Sequence, residues 1–244
     1  MTEINAEDRI EQIVEKIKEF FLISSGRKAV IGISGGKDST VVAALCAKAL
    51  GSENVIGVMM PNGKQKDIDH SKRVCKLLGI RPMTINIAIP YNDILDQIST
   101  FSEQAEINLA PRLRMATLYA VAQSVSGGRV MNTSNACEAY VGWGTLYGDT
   151  VGDFAPIKHL TVSQIVEIGL ALKLPEDLVK KTPADGLTKK SDEDNLGVTY
   201  AAIEKFMNGH GEDLTNEELQ IIINRHKMSE FKRQIINIPG VLSI

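Results

Sequence analysis

Apolar residues recur every three to four positions at Ile10, Ile13, Val14, Ile17 and Phe21, which predicts an amphipathic helix near the start of the chain. Asn5 suits its N-cap, and Glu7 and Asp8 suit the positive end of the helix dipole. Residues 28–33, apolar from Ala29 onward, then read as a short buried strand. Residues 38–50 are helix-like and stop at Gly51. A second strand is predicted at 55–60, closed by Pro61, Asn62 and Gly63, and a helix at 66–78 that stops at Gly79. A third strand at 83–87 and a helix at 90–103 follow.

A longer helix is predicted at 108–125, with Pro111 tolerable only near its first turn. One side of it carries Leu109, Leu113, Ala116 and Ala120, and the other carries Leu118, Val121 and Val125. A helix apolar on two sides belongs in a core or at a subunit contact. Gly127 and Gly128 end it, and residues 129–132 read as a fourth strand. Strands alternating with helices imply an open parallel sheet covered on both faces, a three-layer α/β fold. The last third is mostly helical, at 161–172, 200–207 and 217–227, and the polar stretch 185–194 is expected to be a loop. No repeat or dividing linker appears, so residues 1–244 are expected to form one domain.

Composition narrows the function. Of 244 residues, 43% are hydrophobic and 23% charged, a globular balance that excludes a disordered or collagen-like chain. Lys and Arg number 27 against 30 Asp and Glu, a formal charge of -3, which argues against a nucleic-acid partner. Cys46, Cys75 and Cys137 are too few and too scattered for a disulfide framework or a zinc site. They read as reduced thiols of a cytoplasmic protein. The first residues lack the pattern of a signal peptide, and no apolar run is long enough for a membrane partner.

The chemistry concentrates between the first strand and the next helix, in Gly32, Ile33 and the run Ser34-Gly-Gly-Lys-Asp-Ser39. Gly35 and Gly36 let the backbone approach an anion, and free N–H groups at a helix start favour phosphate. Ser34, Ser39 and Thr40 add hydroxyls. Asp38 would repel a phosphate unless a divalent cation bridged them, and Mg²⁺ takes hard oxygen ligands of both kinds. The order is neither Walker A nor G-x-G-x-x-G.

This run resembles the pyrophosphate loop of the ATP pyrophosphatases, which split ATP into AMP and pyrophosphate to activate a substrate. Further blocks resemble the NAD synthetases in order: Asn108 to Met115, Asn132 to Glu138, Tyr147-Gly-Asp149, Ser191 to Tyr200, and Ser229 to Arg233. The resemblance implies a Rossmann-like sheet of the adenine nucleotide alpha hydrolase type. It implies a ligase that adenylates deamido-NAD with ATP and Mg²⁺, then releases NAD and AMP when ammonia attacks. It also implies a homodimer. By the same resemblance, Asp38 and Glu138 are the catalytic, magnesium-binding pair. Gly32, Ile33, Ser34, Gly35, Gly36, Lys37, Asp38, Ser39 and Thr133 bind ATP, and Arg112, Asp153 and Lys232 contact deamido-NAD, with Arg114 as a helper.

Four positions depart from the family pattern: Leu146 and Val162 stand for lysines, Ala184 for a hydroxyl residue and Phe231 for a histidine. Lys158, Lys180, Lys181 and Lys189 are candidates to replace the lost charge. The chain has no room for an amidotransferase beside the ATP domain, so free ammonia is the expected nitrogen donor. Residues 182–194 are a candidate lid. The competing readings are another amide-forming or tRNA-modifying ATP pyrophosphatase, and a nucleotide-binding protein without catalysis.

Overall fold

The computed structural model describes residues 5–65, 68–180 and 191–235. The first helix, α1 (Ala6–Ile23), is capped by Asn5, whose side chain accepts from the Asp8 N–H, and it buries the predicted stripe from Ile10 to Phe21. Then follow β1 (Lys28–Gly32), α2 (Lys37–Leu50), β2 (Val55–Met59), α3 (Ile68–Leu78), β3 (Arg81–Thr84), α4 (Ala88–Gln97), α5 (Glu103–Gln123) and β4 (Gly128–Val130). The remainder is helical: α6 (Ala136–Val141), α7 (Val162–Ala171), α8 (Glu176–Val179), α9 (Asp192–Leu196), α10 (Tyr200–Met207), α11 (Asn216–Met228) and α12 (Glu230–Ile235).

The four strands run parallel in the order β3-β2-β1-β4. Side chains alternate across the pleat, so each strand feeds two cores. Ala29, Ile31 and Ile33 pack with Ile13, Ile17, Leu45 and Ile168 on one face. Val30, Ile56 and Val58 pack with Val121, Ala122 and Leu118 of α5 on the other. Three layers result. A third cluster joins α6, α10 and α11 through Cys137, Ile203 and Ile222. Each of these large buried side chains contributes about 1.5–3 kcal/mol.

Several boundaries differ from the pattern-based expectation. The third strand lies at Arg81–Thr84 instead of 83–87, because the ladder aligns Ile56 with Arg81 and Met59 with Thr84. The helix expected at 90–103 stops at Gln97, and Ser102 caps a new one by accepting from the Ala105 N–H. That helix, α5, therefore begins five residues before 108 and holds Pro111 in its interior. The missing proline N–H forfeits one helical bond. Packing overrides this local cost: Pro111 is buried, and a Cβ on Gly148 would lie 2.9 Å from its Cβ. Gly128 opens the fourth strand instead of ending the helix, and the strand is three residues long, followed by a single parallel bridge from Met131 to Phe154. The loop expected at 185–194 ends early, since Ser191 caps α9 in a capping box with Asp194. Residues 185–190, and the lid expected at 182–194 up to residue 190, lie outside the described residues.

His159 shows what the interior asks of a titratable group. Its Nδ1 is buried with no hydrogen-bond partner, and burial together with Arg9 pushes its pKa down to about 4. The folded chain thus favours the neutral ring. The resulting stability is complete above the unfolded value near 6.5 and is lost as pH falls toward about 4. Between those limits wild-type protein should lose up to about 2–3 kcal/mol more than a His159→Gln variant, read from urea midpoints at several pH values. Parallel curves would refute it.

Candidate active site

The sheet order itself locates a binding site. The chain winds from β1 outward to β3, then returns to place β4 on the other side of β1. Between the carboxyl ends of β1 and β4 the following segments diverge, and such a switch point opens a crevice. Asp38 follows β1 and Glu138 follows β4, so two carboxylates 100 residues apart in sequence face one crevice. The cleft there has a volume of about 700 Å³ and is lined by Ser34, Gly36, Asp38, Thr133, Glu138 and Asp149 among others.

The loop holds its shape through its own hydroxyls. Gly35 takes φ 81°, a left-handed conformation that suits glycine, and a Cβ there would meet His70 at 3.0 Å. The Gly36 N–H donates to Ser34 Oγ at 3.2 Å, and the Ser34 and Ser39 hydroxyl oxygens are 3.1 Å apart. Thr40 Oγ1 donates to the Gly36 carbonyl at 2.7 Å. Gly36 is the N-cap of α2 with no side-chain cap, which leaves the positive helix end toward the cleft.

Asn135 ties the second carboxylate to the first. It is wholly buried and caps α6, accepting from the Glu138 N–H at 2.9 Å, while Glu138 Oε2 accepts from the Asn135 N–H at 3.1 Å. Its Nδ2 also reaches Asp38 Oδ1 at 3.4 Å. Burial, then the Asp38 charge, raise the Glu138 pKa well above the usual carboxylate range. Lys37 Nζ lies 3.1 Å from Asp38 Oδ2. Burial alone would lower the Lys37 pKa, but Asp38, Glu138 and Asp192 outweigh it and the net shift is upward.

The structure thus gathers the expected loop residues from Gly32 to Ser39, apart from Gly35 behind them, with Thr133 and Glu138 around one cleft. It places the three expected substrate contacts outside the cleft lining. Arg112 Nε donates to the Leu146 carbonyl at 3.2 Å. Lys232 Nζ donates to the carbonyls of Gly142 and Gly144 at 2.9 and 2.8 Å. Asp153 accepts from the Val130 N–H at 2.8 Å and from the Tyr119 hydroxyl at 3.3 Å, so it finishes the edge of β4. Arg112 and Lys232 nevertheless hold one segment, 142–149, which forms a wall of the cleft.

Arg114, the expected helper, lines the cleft, and so do Lys64 and Asp149 from outside the expected set. Arg114 Nε donates to the Met60 carbonyl at 3.1 Å. Asp149 Oδ1 accepts from the Thr145 N–H at 2.6 Å. Asp149 sits in a family-like block, and that was its only sequence signal. Of the lysines expected to compensate for lost charge, Lys158 and Lys180 do not line the cleft, and Lys181 and Lys189 lie outside the described residues, as does Ala184. Val162 opens α7 against the third cluster, and Phe231 is 49% exposed.

An open parallel sheet with a hydroxyl-rich loop after β1 and a carboxylate pair at its switch point defines a Rossmann-like α/β protein with its cleft at the strand ends. Residues 9–236 match the family model described as NAD synthase. The NH3-dependent NAD+ synthetase of Pyrococcus horikoshii is 38% identical over 199 residues, covering 81% of this chain and 77% of that protein. Among solved structures, the NMN synthetase from Francisella tularensis superposes with a TM-score of 0.89 at 32% identity, covering 97% of this chain and 99% of that one. The NH3-dependent NAD synthetase from Campylobacter jejuni, in complex with the nitrate ion, gives a TM-score of 0.80 at 28% identity, covering 98% and 100%. The chain belongs to the NAD synthase family, ligases that form a carbon–nitrogen bond.

Proposed function

We propose that this chain converts deamido-NAD to NAD with ATP and ammonia, through an acyl-adenylate. The meeting of Asp38 and Glu138 beside the Ser34 to Ser39 loop carries the reading. A free carboxylate resists ammonia, whereas its mixed anhydride with AMP is a good acyl donor. On this reading the loop amides and hydroxyls take the departing pyrophosphate at the α2 N-terminus. Thr133, on the opposite lip, contacts ATP.

The residues present fit a magnesium ion. Two adjacent carboxylates, one held toward its acid form by burial and then by the other's charge, supply the one or two protein ligands that Mg²⁺ takes when nucleotide phosphates and water provide the rest. Asp38 and Glu138 would hold it, and when bound it would neutralise charge developing on the phosphates. Among the described residues no group of three or more metal-ligating side chains forms. Arg112 and Lys232 serve the substrate by fixing the 142–149 wall, and Asp153 by fixing β4. We place the reaction in the cytoplasm, where the three free, buried cysteines stay reduced. Two copies would pair across the outer side of α5, which leaves Ala116 and Ala120 exposed.

Incubation with ATP, Mg²⁺, ammonium and deamido-NAD should yield NAD, AMP and pyrophosphate in equal amounts. ATP binding with no AMP from any acid would favour a protein without catalysis. A second reading has its own support, the fit to the Francisella NMN synthetase together with the loss of expected lysines at Leu146 and Val162. On it, the acid is nicotinate mononucleotide, and a higher kcat/KM for that acid than for deamido-NAD decides in its favour.

A further inference from the structure

A lysine in a phosphate loop ordinarily reaches toward phosphate, but Lys37 is 4% exposed and packed inward. Its Nζ contacts Asp38 Oδ2 at 3.1 Å and stands 5.6 Å from the centroid of the Tyr200 ring. The Tyr200 hydroxyl donates to Asp192 Oδ2 at 3.3 Å, and Tyr200 and Asp192 are 3% and 5% exposed. An ammonium is buried at large cost unless charges compensate it. Here Asp38, Glu138 and Asp192 all act on it. Asp192 and Tyr200 come from α9 and α10, so the last third of the chain closes a charge cluster beneath the loop.

We propose that Lys37 is a positioning residue, an internal counter-cation that keeps Asp38 and Glu138 together without metal and holds down their affinity for a divalent ion until nucleotide arrives. The physics is a balance. Without the ammonium, two neighbouring carboxylates repel each other. With it, an incoming cation meets a positive charge bonded to one of its own ligands. ATP tips the balance by adding phosphate charge to the cleft, so metal and nucleotide enter together. The inference rests on Asp38 and Glu138 being the metal ligands.

The test is a titration of nucleotide-free protein with Mn²⁺, followed by the electron paramagnetic resonance of the free ion. Lys37→Met should bind Mn²⁺ at least about tenfold more tightly than wild type. Asp192→Asn, which leaves the ammonium to act more fully on Asp38 and Glu138, should bind about two- to fivefold more weakly. A purely structural lysine would lower the melting temperature of Lys37→Met and leave Mn²⁺ affinity unchanged, and that result overturns the proposal. So does weaker binding by Lys37→Met, or a loss of its ATP affinity at unchanged Mn²⁺ affinity, which would put the ammonium on phosphate. Should Lys37→Met not fold, equal or tighter binding by Asp192→Asn overturns it equally. Wild-type protein that takes up no Mn²⁺, alone or with α,β-methylene-ATP, instead removes the metal assignment of Asp38 and Glu138, and this inference with it.

Discussion

Asp38→Ala should reduce NAD and AMP formation by at least about a thousandfold while the protein stays folded. Asp38 is one of two carboxylates that reach the cleft from the adjacent strand ends, and Asn135 and Lys37 fix both of its oxygens. Its loss removes half of the protein's proposed metal ligands. The fold survives because Lys37 still faces Glu138 and Asp192, so no unpaired buried charge is left behind. Glu138 also loses the repulsion that Asp38 exerts on it, which offsets part of the lost pairing. The measurement is a coupled pyrophosphate assay beside a thermal melt. More than about a tenth of wild-type turnover in a folded Asp38→Ala protein would take this carboxylate out of the metal site.

Gly142→Ala is expected to cost about 3–5 kcal/mol, from a left-handed backbone and an overpacked contact combined. Gly142 caps α6 at φ 66°, and an added Cβ would lie 2.1 Å from Ser229 Cβ and 2.5 Å from its Oγ. Ser229 cannot yield easily. It is 6% exposed, donates to the His226 carbonyl at 3.1 Å and accepts from Arg233 at 2.7 Å. Because α6 carries Glu138 and the Gly142 carbonyl anchors Lys232, activity should fall along with stability. Gly209→Ala is the control, since φ is 85° there but no atom lies within 4 Å of the added Cβ. It should cost only about 1–2 kcal/mol. Removing the obstacle in a Gly142→Ala, Ser229→Gly double variant should recover part of the difference. Equal urea midpoints for the two alanine variants would show that the contact does not matter.

Local chemistry explains which parts of the fold were legible. The stripe of α1, its Asn5 cap, the Gly51 stop of α2 and the bounds of α10 all follow from interactions within a few residues along the chain. The start of α5 was not legible, because Pro111 argues locally for a first-turn position. Packing of α5 across β1 and β4 outweighs one missing helical bond. The phosphate loop was legible because its groups are contiguous in sequence. Arg112, Lys232 and Asp153 were harder, since each points to a backbone group 23 or more residues away.

Sequence alone determined the alternation of strands and helices, the loop from Ser34 to Ser39 and the family, since periodicity, caps and contiguous motifs act over short range. Only the tertiary structure decided that β4 returns beside β1 and so brings Glu138 to Asp38, that Asp149 and Lys64 reach the cleft, and that Lys37 turns inward. Those outcomes depend on which distant charge or carbonyl compensates each buried polar group, and that partner is chosen by packing across the whole chain.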